Sequence, residues 1–143
     1  MTTPPAAGQT QVIIDWIISL GWDTTPELGF PLFAGPWILT SPDRSVWITL
    51  TPGPGYVTEE GSADAWAFQA RVRGTANDQQ GAEVAAQLLD NMILFASYPA
   101  SIDGISIQVA HRLGSPPAPL PVDPSDQRFE YTCDYIVVTG PGD

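Results

Sequence analysis

The feature that most constrains this fold is its punctuation. The chain has 143 residues, 13 of them glycine and 15 proline. These gather at 4–8, 26–36, 52–55, 114–124 and 140–142. Glycine loses the most backbone freedom in regular structure, and proline fixes φ and lacks a donor. Regular elements therefore have to be short and fit between the clusters. The length suits one domain spanning 1–143, with 1–8 and 140–143 as flexible ends. No internal repeat is present.

Between the clusters the apolar residues are periodic. Ile13, Trp16, Ile17 and Leu20 share one helical face, predicting a helix over 9–20 with Thr10 as cap and Gly21 as stop. Val12, Ile14 and Ile18 widen its apolar arc. A second helix is predicted over 78–96, capped by Asn77, with Ala85, Leu88, Leu89, Met92 and Ala96 as its buried stripe. Four segments alternate as strands do: 46–51, 66–73, 105–110 and 129–137, and a weaker one runs over 37–40. Clean alternation implies a sheet with one face covered and one open. The expected fold is α+β: an antiparallel sheet of four to five strands, two helices on one face, and two long loops, 52–65 and 112–127. Prolines stiffen the second loop into an extended arm.

Charge narrows function. Sixteen acidic residues face five basic ones, all arginine (Arg44, Arg71, Arg73, Arg112 and Arg128), for a net charge of −11. Tight sequence-independent binding to nucleic acid and docking on anionic membranes both need clustered cations, so the charge largely rules out the first and argues against the second. No signal peptide is expected in the first residues, and the apolar run 12–20 is too short to span a bilayer.

No catalytic constellation stands out, and neither a metal nor a cofactor site is expected. His111 is the one histidine; at a strand end it reads as an edge residue. Cys133, the one cysteine, is in phase with Tyr131 and Tyr135 and reads as a small core hydrophobe. Glu59 and Glu60 lie in the first long loop and Asp123 and Asp126 in the second, without metal-ligand spacing. Arg71 and Arg73 share the strand face opposite Phe68, Ala70 and Val72. They read as solvated, as partners of acids on a neighbouring subunit, or as DNA contacts, the last being the weakest of the three. Trp47 lies opposite Ile48, where it is either core beneath a loop or an interface residue.

One layout gathers these pieces. An N-terminal helix carrying Trp16 is followed by Gly21-Trp22-Asp23. Two strands flank a long loop, and the second ends in FQARVRG (68–74), leading into the helix AEVAAQLLDNMI (82–93). A strand from Ile105, a proline-rich loop and the closing strand RFEYTCDYIVV (128–138) complete it. This resembles the tail-terminator (minor capsid) proteins of long-tailed bacteriophages, particularly those of actinobacterial hosts. The resemblance covers about residues 9–139 and rests on layout more than on invariant residues.

It implies a structural virion protein at the tail–neck junction, not an enzyme, assembled in the bacterial cytoplasm. Such proteins form a homo-hexameric ring that caps the tail tube protein and meets the head–tail connector, with genomic DNA passing through unbound. Six copies carry a formal charge of about −66, a lining that repels phosphates. A ring needs two different complementary patches per subunit. Arg71 and Arg73 are candidates for one; Glu59, Glu60, Asp123 and Asp126 for the other; Trp47 is a further interface candidate. The alternatives are another neck, head-completion or tail-tube component and, more distantly, a small cytoplasmic enzyme or ligand-binding domain.

Overall fold

A computed structural model describes residues 8–25, 29–35, 44–56, 64–121 and 127–141. Its elements are α1 (Gln9–Ser19), β1 (Leu32–Ala34), β2 (Ser45–Tyr56), β3 (Asp64–Ala76), α2 (Gln79–Leu94), β4 (Ala100–Ile102), β5 (Ile105–Arg112), β6 (Ala118–Pro119) and β7 (Arg128–Pro141). The fold is α+β with two helices, as the periodicity predicts.

The sheet is larger than expected, and mixed. Its order is β1-β2-β3-β7-β5-β4, with β6 also on β7, making seven strands. β1 runs parallel to β2, whereas every other pairing is antiparallel. The added strands β1, β4 and β6 have only two or three residues each, too few to show alternation. The expected strand at 37–40 lies outside the described residues. Much of the expected loop 52–65 is strand, because β2 runs to Tyr56 and β3 begins at Asp64. β6 likewise sits inside the expected loop 112–127.

Register builds the core. Val46 pairs with Val72, Ile48 with Ala70 and Leu50 with Phe68. Across β3, Trp66 faces Val137, Phe68 faces Tyr135, Ala70 faces Cys133 and Val72 faces Tyr131. These rows share one face because strand side chains alternate. Val12, Ile13, Trp16 and Ile17 of α1 and Ala82, Ala85, Ala86, Leu89 and Ile93 of α2 complete one buried cluster with them. Each fully buried large side chain stabilises the fold by about 1.5–3 kcal/mol. The alanines let α2 lie close to the sheet.

The helix ends differ in detail from expectation. Gly8, with no side-chain bond, caps α1 in place of Thr10. Asp78 caps α2 in place of Asn77, its Oδ1 accepting the Gly81 N–H at 2.9 Å. Asn77 has φ 63° and gives its N–H to the Gln127 carbonyl at 2.9 Å, tying the end of β3 to the start of β7.

Candidate functional site

The second face of the sheet is not open at its centre. Trp47 is buried, stacks on Phe33 with centroids 4.8 Å apart, and donates Nε1–H to Ser45 Oγ at 3.0 Å. It is therefore core rather than a free interface residue. Arg71 Nη2 pairs with Glu130 Oε1 of its own chain at 2.6 Å, a diagonal contact across the β3–β7 ladder, in which Arg71 faces Thr132 and Arg73 faces Glu130. Arg73 is 2% exposed. Both arginines lie on the predicted face, but neither projects freely into solvent. Glu59, Glu60, Asp123 and Asp126 lie outside the described residues, so the acidic patch assigned to them has no geometry here.

A polar cluster invisible to sequence reading sits under the opposite face. The α2 residue Asp90, 3% exposed, accepts from Arg112 Nε at 3.0 Å, from Arg112 Nη2, and from Tyr135 Oη at 2.8 Å. Cys133 Sγ lies 3.6 Å from the Ser115 carbonyl. The cluster forms where the edge of β7 changes partner, from β5 (ending at Arg112 opposite Tyr135) to β6 (Ala118 opposite Thr132). Residues 113–117 lie between the two strands, outside the ladder, and this break in pairing leaves room for a charged group. Burial raises the Cys133 thiol above its ordinary range and pushes the Tyr135 phenol far up. Both groups are held neutral, so the cluster reads as a lock between helix and sheet. Asp90 stood in the helix without a spacing signal; only the fold brings Arg112 and Tyr135 to it.

His111 is exposed at the end of β5, with Nδ1 3.3 Å from the Arg112 carbonyl oxygen. Among the described residues no group of three or more metal-ligating side chains occurs. No helix among them is long and apolar enough to cross a membrane.

The remaining feature is an apolar groove beside α2. Trp22, Asp23, Gly29, Phe30, Gly81, Val84, Ala85 and Leu88 line a volume of about 280 Å³. Trp22 Nε1–H donates to the Phe30 carbonyl at 2.8 Å, and Phe30 N–H to the Asp23 carbonyl at 2.9 Å, so the two rings hold a tilted pair 6.5 Å apart. Gly29 is required here because a Cβ would collide with the Asp23 backbone. Asp23 accepts from the Thr25 N–H and hydroxyl, which lower its carboxyl below the ordinary range and keep it charged. Arg44 lies 5.7 Å from the Phe30 ring centroid.

The groove continues onto an exposed helix face. Val84 is 54%, Leu88 53% and Phe95 82% exposed. Leu88 was expected in the buried stripe; the sheet instead takes Ala82, Ala85, Ala86, Leu89 and Ile93, leaving Leu88 on the far side. Exposed neighbours Gln80, Gln87 and Asn91 are uncharged. On a chain of net charge −11, this face has the composition of an interface centre, with apolar side chains and few charges. No family model matches the chain, and no curated protein matches it.

Proposed function

We propose that the chain is a structural subunit of a phage tail-terminator ring, placed at the tail–neck junction between tail tube and head connector, with DNA passing through the ring. The observation that carries this reading is the apolar face along α2 and its C-cap, Val84, Leu88 and Phe95, flanked by Glu83 and by Asp23 at the groove rim, on a strongly acidic chain. A surface of this kind favours protein contact over chemistry. The α-β-β-α-β-β layout of its long elements supports the same family. The burial of Arg73 and the Arg71–Glu130 pair move the subunit contact away from those arginines and toward α2. The acidic charge suits a channel through which DNA must slide.

Negative-stain electron microscopy of the concentrated protein, with antibody labelling of intact virions, tests the reading. Small open rings and label at the head–tail junction are the expected result. Label elsewhere on the virion favours another neck or tube component. Absence from every virion overturns the phage reading. The groove gives the ligand-binding alternative its one specific observation, although its volume falls just below the ~300–1,000 Å³ usual for small-molecule pockets.

A further inference from the structure

We infer that the groove beside α2 receives the proline-rich strap of a second copy of this chain, residues 113–121. The inference rests on the reading above that copies assemble, and it names the contact. The strap, LGSPPAPLP, carries Pro116, Pro117, Pro119 and Pro121. Leu113, Ser115, Pro116, Ala118, Pro119 and Pro121 are exposed, Leu113 by 50%. Prolines fix φ, so a strap of this kind loses little entropy on docking, and aromatic-lined grooves are the surfaces that take such segments. Trp22 and Phe30 with Val84 and Leu88 provide that lining.

The strap cannot fill the groove of its own subunit by folding over, because both of its ends are tied to β7. Leu113 N–H donates to the Asp134 carbonyl and Leu120 N–H to the Glu130 carbonyl, each at 2.8 Å. The Arg112–Asp90 pair anchors its root, and the Cys133 thiol lies 3.6 Å from the Ser115 carbonyl within it. With its middle, β6, paired to β7, the strap presents its exposed side chains on a backbone already fixed.

Charge admits a copy of the same chain as that partner through this segment. Two molecules at −11 repel wherever carboxylates face each other. Residues 104–121 contain no carboxylate, and Arg112 is their one formal charge, with His111 beside it. The groove has the ionised Asp23 at its rim. The strap is thus a surface that this groove does not repel. Because strap and groove are different patches, the contact is head-to-tail, the type that closes into a ring.

The test uses the full-length protein and a dye-labelled peptide of residues 111–121, HRLGSPPAPLP. Anisotropy titration is expected to show binding, weakened about tenfold or more by Leu88→Asp and by glycine at Pro116 and Pro117 of the peptide. Leu88 is half exposed, so the variant keeps its fold, checked by thermal melting. Mixing a Leu88→Cys protein with a Pro116→Cys protein is expected to give the mixed disulfide in excess of either homodimer. No peptide binding up to millimolar concentration, equal binding to Leu88→Asp, or homodimers alone overturns the inference. Rings seen by microscopy despite failed docking leave the terminator reading standing and remove this contact. Leu88-dependent docking with no ring and no virion label keeps the contact and removes the ring.

Discussion

Asp90 is one carboxylate facing donors from two strands, and its removal strands all of them. Asp90→Ala leaves the Arg112 guanidinium and the Tyr135 hydroxyl without their acceptor. The Tyr135 hydroxyl is then left buried and unsatisfied, whereas Arg112, 32% exposed, can reach water, so urea denaturation is expected to show a loss of about 1–3 kcal/mol. Glu130→Gln removes the negative charge paired with the partly exposed Arg71 while keeping an acceptor oxygen, and is expected to cost about 1 kcal/mol or less in the same assay. Cys133 gives a chemical readout. Burial raises its thiol pKa, so the native protein is expected to react slowly with iodoacetamide at pH 8 and rapidly once unfolded. Fast labelling of the folded chain contradicts its placement in the lock. Nothing near Asp90 in sequence announces the cluster, since Arg112 and Tyr135 lie 22 and 45 residues away.

At the scale of elements, the turn between β4 and β5 combines a required backbone conformation with an electrostatic contact. Asp103 and Gly104 take φ 52° and 80°, the positive pair a two-residue hairpin needs. The Asp-Gly step is a hairpin signal in the sequence, but β4, at three residues, is too short to show the alternation that would flank it. Asp103 also meets Asp15 of α1. The interaction between the two carboxyls raises the Asp103 pKa above its ordinary value. The folded state therefore holds this proton more tightly than the unfolded chain, and stability falls as pH rises from the ordinary carboxylate value through the raised one. Asp103→Asn suits the same turn and removes the repulsion. Its melting temperature is expected to exceed that of the parent at pH 7, with the pH-dependent part of the gain vanishing below the carboxylate range. Asp78 offers a simpler check: Asp78→Ala removes the α2 cap and is expected to cost about 1 kcal/mol.

For the whole molecule, net charge governs association. Copies at −11 repel over a Debye length of ~30 Å at 0.01 M salt and ~8 Å at 0.15 M. Self-association through an apolar face is therefore expected to strengthen with added salt, measured by sedimentation velocity at several concentrations. Dissociation by salt points instead to contacts between opposite charges. The Tyr98 hydroxyl donates to the Ile93 carbonyl at 2.7 Å, tying the segment after α2 back to the end of that helix.

Local chemistry determined much of this protein from sequence alone. The 3.6 and 2.0 periodicities placed both helices and the four long strands, because burial of one face repeats at the spacing of the backbone. Composition determined its acidity. Tertiary structure alone decided the rest. β1, β4 and β6 exist because longer strands offer them unpaired edges, which no window of two or three residues can reveal. Arg73 and Trp47 are buried, and Leu88 exposed, because neighbouring elements rather than residue type choose which surface meets water. The Asp90 lock and the groove at Trp22 each require segments distant in sequence to meet, a property of the packed chain and not of any one segment.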